Sequence, residues 1–188
     1  MYLWLKPQLA QEIAAYARAA QPNECCGVIL GMGEIAEQII PIPNIANEPK
    51  YNYYMDEQSL LKALYQAEQA EQAEQAQLEV IGFYHSHPRT DPIPSATDKQ
   101  LATYPDVAYV IAGLRNGEAH LAAWSIKPYQ VMPIQLIISA DKPVFDSQSS
   151  RLTIVQKRAI IASAIIAFIF MLVLSLSLLP PAPIIPLH

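Results

Sequence analysis

Apolar and polar positions follow two different periods along this chain, and the places where the period changes divide it into elements. From Leu9 to Ala20 apolar residues recur at helical spacing in an Ala-rich stretch, which predicts an amphipathic helix that Pro22 brings to an end. Gly27-Val28-Ile29-Leu30-Gly31 is a short β-branched run bracketed by glycines, the pattern of a buried strand. Glu37 to Pro43 predicts a second strand, and the Pro/Asn-rich stretch Pro41 to Pro49 a loop. Asp56 stands where it can cap a helix that carries Leu60, Leu61, Leu64 and Tyr65 on one side and runs into three Ala-Glu-Gln triplets, Ala67 to Gln75. A period of three drifts around a 3.6-residue helix, so residues 67–77 predict a solvated helical extension with no lasting apolar stripe.

Leu78 to Tyr84, Val107 to Leu114, His120 to Ile126 and Val131 to Ser139 predict further strands, and Asn116-Gly117 marks a hairpin turn between two of them. Strands mixed with two or three helices define a mixed α/β (α+β) domain built around one sheet over residues 1–138. Residues 139–158 read as a linker with a basic flank. Ala159 to Leu179 then carries no charge over 21 residues, and at about 1.5 Å per residue it spans about 31 Å, close to the thickness of a bilayer core. A buried core helix is the competing reading, but core helices of this length keep a polar face. Arg151, Lys157 and Arg158 flank the segment on its N-terminal side, and the tail 180–188 has no Lys or Arg. The positive-inside rule therefore predicts a single-pass, tail-anchored membrane protein with its domain in the cytoplasm.

Charge and cysteine content narrow the picture. All 17 acidic residues but only nine of the 12 basic ones lie in residues 1–150, a net of −8 there. An acidic domain offers little to a phosphate backbone, so no nucleic-acid partner is expected. Cys25 and Cys26 are adjacent and are the only cysteines, which rules out a long-range disulfide framework and fits a reducing compartment. Neither has a His at a recognisable partner spacing, and the pair reads as small buried hydrophobes. Met1 to Ile13 is too short and too polar for a signal-peptide core.

The chemistry concentrates in His85-Ser86-His87, followed after a seven-residue connector by Ser95 and then by Asp98. In a strand, side chains at i and i+2 share a face, so both imidazoles can aim at one ion. Three prolines stiffen the connector Pro88 to Pro94 and limit the paths by which Asp98 returns as an oxygen ligand. Two His, one carboxylate and a water make the open tetrahedral zinc site of a hydrolase. Such a site needs a base to accept the water's proton; Glu24, immediately before the first buried strand, is the candidate, and the Ser95 hydroxyl can serve as oxyanion donor. Each assignment has a competitor. Ser95-x-x-Asp98 also fits a helix capping box, Glu24 a surface carboxylate, and His85 and His87 partly buried histidines with backbone partners. His120 and His188 read as residues without a site role.

Glu24 ahead of a glycine-bracketed strand, then His-Ser-His-Pro, Ser95 and Asp98, resembles the JAMM signature of the MPN-plus metalloproteases. The likeness extends through Glu24 to Gly31, Pro43-Asn44, Tyr54-Met55-Asp56 and Trp124, covering roughly residues 5–135, and it is similar to the small prokaryotic single-domain members. It implies one curved mixed sheet flanked by helices, Zn2+ held by His85, His87 and Asp98, Glu24 as general acid/base and Ser95 as oxyanion donor. It also implies a peptidase or isopeptidase that cuts after the C-terminal Gly-Gly of a ubiquitin-like or sulfur-carrier protein conjugate. The alternative is a membrane-tethered, non-catalytic module that binds a ubiquitin-like partner and uses zinc only for folding.

Overall fold

The computed structural model describes residues 1–74, 78–143 and, further on, Ser163, Ala167, Phe168, Phe170 and Met171; for 66–74 it describes the backbone. Met1–Pro143 forms one compact unit and Val144–His188 a second.

Seven strands make a single sheet: β1 (Tyr2–Leu5), β2 (Cys26–Met32), β3 (Ile35–Ile42), β4 (Glu79–His87), β5 (Ala108–Gly113), β6 (His120–Lys127) and β7 (Gln130–Ile138). Their spatial order is β1-β3-β2-β4-β5-β6-β7, and the two ends meet to close a barrel. Closure depends on β1, a strand that no alternation marks in the sequence because Leu3, Trp4 and Leu5 are all buried. It lies parallel to β7, with Tyr2 opposite Gln135 and Leu5 opposite Ile138, and bridges to β3 at Trp4 and Ile35. The sheet is mixed and curved, as the family resemblance implies, and its curvature runs to completion.

Helix α1 (Pro7–Ala20) supplies Leu9, Ala10, Ile13 and Ala17 to a cluster that receives side chains from all seven strands. The 3.6-residue spacing of those four positions explains why the helix buries one face, and fully buried Ile13 alone contributes on the order of 2 kcal/mol. The opposite face of β2 and β4 carries Val28, Leu30 and Phe83, which pack with Tyr109, Ile126, Met55 and Leu60 in a second cluster. Phe83, His85 and His87 alternate down one strand, so the histidines extend the face that Phe83 begins.

Helix α2 (Glu57–Glu74) starts where Asp56 predicts it, with Asp56 Oδ2 accepting from the Ser59 backbone N–H at 2.8 Å. Its backbone continues through most of the Ala-Glu-Gln triplets; residues 75–77 lie outside the described residues. β4 and β5 are parallel neighbours, so the chain must cross over between them. That crossover is the proline connector followed by α3 (Ala96–Leu101), which brings Asp98 back over the C-terminal end of β4.

Most of the expected membrane span, and with it residues 144–158 and the tail, lies outside the described residues. The five described positions between 163 and 171 are helical and exposed. Among the described residues no helix is long and apolar enough to cross a membrane.

Candidate active site

The site begins as a pairing register. Strands β2 and β4 are antiparallel with Cys26 opposite His85, and the ladder continues outward: the Ser86 N–H donates to the Cys25 carbonyl at 3.0 Å and the Cys25 N–H to Ser86 Oγ at 2.9 Å. Ser86 thus ties the two strands together from the face opposite the imidazoles. Extending that register sets Glu24 against His87, so the glutamate that precedes the first buried strand arrives beside the histidine pair without belonging to it.

His85 and His87 turn their Nε2 atoms toward each other at 3.1 Å. Asp98 joins them with Oδ2 at 3.2 Å from His87 Nε2 and Oδ1 at 3.4 Å from His85 Nε2. All three residues are buried. The His87 Nδ1 atom lies 3.2 Å from the Asp91 carbonyl oxygen, which can only accept, so Nδ1 carries the hydrogen and neutral His87 presents a lone pair at Nε2. Tyr53 stacks on the His85 ring with centroids 4.4 Å apart and planes 23° from parallel, fixing the ring from its other face. His85 Nδ1 has no hydrogen-bond partner among the described residues.

Asp98 is at once part of this cluster and part of a helix cap. Ser95 Oγ accepts from the Asp98 N–H at 3.1 Å, and Asp98 Oδ2 accepts from the Ser95 N–H at 2.7 Å, a closed capping box. Burial works against the charged form of Asp98, but the hydrogen bonds and charges of His85 and His87, with that of Ser95, outweigh it and hold the carboxyl far below the usual carboxylate range. Burial also lowers the pKa of His85, against the pull of Asp98. For His87 burial is opposed by the hydrogen bond and charge of Asp98 and the charge of Glu24, and the net direction is upward.

Glu24 is held at its backbone. Its N–H donates to the Pro49 carbonyl at 2.7 Å, and its carbonyl accepts from Asn44 Nδ2 at 2.9 Å. The carboxyl is only 6% exposed as a residue, and Oε2 has no partner among the described residues. Burial, aided by Asp98 and opposed by His87, raises its pKa to about 7. A buried carboxylate left without a donor, with an affinity for protons matched to neutral pH, is equipped to take a proton and give it back.

The donor set fits a zinc ion. Zn–N and Zn–O distances of about 2.0–2.1 Å place tetrahedral ligand atoms about 3.3 Å apart, and the three separations here are 3.1, 3.2 and 3.4 Å. The ligand atoms of His85, His87 and Asp98 all lie within 4.8 Å of one another, and this is the group of metal-ligating side chains found among the described residues. Three such donors, two of them neutral nitrogens, would leave a bound ion's coordination open, as in catalytic zinc sites.

Two residues that pattern reasoning leaves without a role shape the site. Asn44 organises the loop over it: besides holding the Glu24 carbonyl, it donates to Asn52 O and accepts from the backbone N–H groups of Ala46 and Tyr54. The Pro-Asn pair in a polar stretch was its only signal. Tyr53 had none, since its ring meets His85 only through the folding of that loop. Cys25 and Cys26 are free thiols; burial pushes Cys26 up to about 12 and also raises Cys25, so neither is a poised thiolate.

A mixed barrel that presents two imidazoles and a carboxylate beside a buried glutamate defines a JAMM-type domain. The chain belongs to the family of prokaryotic homologs of the JAB domain, whose profile matches residues 6–127. It is 38% identical over 92 residues to a desampylase of Haloferax volcanii, covering 48% of this chain and 62% of that protein, just under two thirds of its length. It is 33% identical over 120 residues to a CysO-cysteine peptidase of Mycobacterium tuberculosis, covering 63% of this chain and 77% of that one. A Desulfitobacterium hafniense protein solved in solution superposes with a TM-score of 0.65 at 27% identity, covering 80% of this chain and 99% of its own.

Proposed function

We propose that this chain is a zinc-dependent peptidase or isopeptidase that hydrolyses the bond after the C-terminal Gly-Gly of a ubiquitin-like or sulfur-carrier protein conjugate. The observation that carries this reading is the convergence of His85, His87 and Asp98 at zinc-ligand spacing beside the unpartnered carboxyl of Glu24. Relatives whose names describe a desampylase, a CysO-cysteine peptidase and a probable TtuB-protein conjugate cleaving protease support the substrate class.

Zinc, when bound by His85, His87 and Asp98, supplies a Lewis acid that makes water acidic enough to lose a proton near neutral pH. Glu24 accepts that proton as the water oxygen bonds to the amide carbon, then passes it to the departing nitrogen as the carbon–nitrogen bond breaks. One carboxyl therefore serves as base and then as acid, and the proton count closes. Ser95 Oγ spends a lone pair on the Asp98 N–H and keeps its own hydrogen, which it donates to the oxyanion that develops on the carbonyl oxygen. The stacking of Tyr53 on His85 and the capping box on Asp98 hold the ligands before substrate arrives.

We further propose that this domain lies in the cytoplasm, anchored by residues 159–179. The uncharged length of that segment and the basic residues on one flank support this, and resistance to alkaline carbonate extraction from membranes tests it. The activity is tested with the full chain and a Gly-Gly-terminated carrier conjugate, with and without a chelator. Cleavage that the chelator abolishes and zinc restores is expected, with Glu24→Gln inactive but still loaded with metal. Cleavage by Glu24→Gln at the wild-type rate would overturn the role given to Glu24, and cleavage indifferent to the chelator would overturn the metal.

A further inference from the structure

The connector between His87 and Ser95 must deliver Asp98 from α3 to the two histidines on β4, and part of its path is fixed from β5 and β6, which contribute none of the three. Trp124, on β6, donates its indole N–H to the Pro92 carbonyl at 2.8 Å, across 32 positions of sequence. Gly113, at the end of β5 and paired with His87, lies under the same proline: a Cβ there would fall 2.6 Å from both Pro92 Cδ and Pro92 N. The next backbone N–H along, that of Leu114, donates to the His87 carbonyl at 3.0 Å. One residue before Pro92, the Asp91 carbonyl accepts from His87 Nδ1 and its carboxylate accepts from Arg115 Nη1 at 2.6 Å.

Pro92 is therefore seated by packing on Gly113 and by one directional bond from Trp124. Packing alone lets a proline slide over a flat glycine backbone; the indole N–H sets how far the connector reaches. Ser95 and Asp98 follow three and six residues later, locked to each other by the capping box, so a displacement at Pro92 moves both together.

We propose that Trp124 is a positioning residue of the metal site: its indole N–H sets the reach of the connector and so the approach of Asp98 to His85 and His87. This rests on the metal-site reading above. The Trp124 indole N–H bonds Pro92 and not His85, His87 or Asp98, and its effect on the ion passes through Pro92, Ser95 and Asp98 in turn. Loss of a direct hydrogen-bond partner of a metal ligand typically weakens metal affinity by about 10–100-fold; Trp124 acts further out, so Trp124→Phe, which keeps an aromatic ring but removes the donor, should fall at the low end, about 10-fold.

The test is zinc affinity of the metal-stripped full chain, measured by competition with a chromophoric chelator, for the wild type, Trp124→Phe and Trp4→Phe. Trp4 is the control because it also donates its indole N–H, to Ser139 Oγ at 2.9 Å, but from β1, away from the connector. Expected is about 10-fold weaker zinc binding in Trp124→Phe, the low end of the range for outer partners, with Trp4→Phe at the wild-type value even where its melting temperature falls. Wild-type affinity in Trp124→Phe overturns the inference, and so does an equal loss in Trp4→Phe, which would make the effect one of general stability. Should Trp124→Phe not fold, Gly113→Ala displaces Pro92 from its other side, and unchanged zinc affinity there overturns the inference equally. A wild-type chain that binds no zinc overturns the metal-site reading itself, a result distinct from either.

Discussion

Ser95 and Asp98 hold each other across the first turn of α3, each accepting a backbone hydrogen bond from the other, while the same Asp98 carboxylate faces both His85 and His87. The capping box and the His85–His87–Asp98 cluster are one structure. Fixing the carboxylate by a bond from the Ser95 N–H leaves its remaining lone pairs aimed at the imidazoles.

Ser95→Ala deletes the cap acceptor and the hydroxyl donor together. It should cost about 1 kcal/mol of stability, as losses of N-caps do, and about 100-fold in turnover, as losses of one oxyanion donor do. Ser95→Thr keeps the hydroxyl and should restore most of both. Thermal melts and initial rates on a cleavable conjugate measure the two effects; an Ala variant with unaltered turnover would leave Ser95 as a cap and nothing more.

Glu24 should impose a pH dependence on the metal-free protein. Its pKa rises from 4.5 to about 7 on folding, so the native state binds the proton more tightly than the unfolded chain. That contribution is complete below about pH 4.5 and disappears as pH rises through about 7, a loss on the order of 2 kcal/mol once partial solvent screening is allowed for. Urea midpoints of the stripped protein should fall across this window in the wild type and be flatter in Glu24→Gln. The Glu24 charge also raises His87, so the difference between the two curves reports Glu24 together with its coupling to that imidazole. Parallel curves would show that the carboxyl is not held protonated by burial.

How much of this could be read in the residues differs from element to element. The run Val28-Ile29-Leu30 and the two later hairpin strands announce themselves, and each is found within a residue or two of where periodicity puts it. The His-x-His spacing reads directly as one strand face. Strand β1 does not, because a four-residue strand with three buried positions shows no alternation, and with it the closure of the barrel goes unseen. Ser95-x-x-Asp98 has two readings in sequence; the structure forms the capping box, and the returning crossover sets the capped carboxylate against both imidazoles. Asn44, Tyr53 and the Trp124 bond to Pro92 depend on long-range packing of loops, which local pattern does not encode.

Metal removal should be visible in stability. Zinc at 100 times its dissociation constant should stabilise the protein by about 2.7 kcal/mol, because it binds the native cluster and the unfolded chain far less. His87→Ala and Asp98→Asn should fold but lose this response, since each deletes one of three converging donors. Melting temperatures with and without zinc measure it. A full zinc-induced shift in His87→Ala would exclude that imidazole from the ligand set.

Gly27 links strand packing to the placement of Glu24. It lies in β2 between β3 and β4, where an added Cβ would meet the Ile40 carbonyl oxygen at 2.4 Å and the ring of Tyr84 at 2.5 Å. The carbonyl belongs to the ladder and the tyrosine is fully buried, so neither can yield without moving a strand. Gly27→Ala should therefore cost about 1–3 kcal/mol, and because Cys26 stands opposite His85, the shift should carry Glu24 away from His87 and lower turnover in the protein that does fold. Gly33→Ala is the matched control: its φ of +63° penalises a side chain, but nothing lies within 4 Å of the new methyl. That variant should lose about 1 kcal/mol through backbone strain and keep wild-type turnover. Equal turnover losses in the two variants would mean that activity follows stability alone and that the β2–β4 register does not position Glu24.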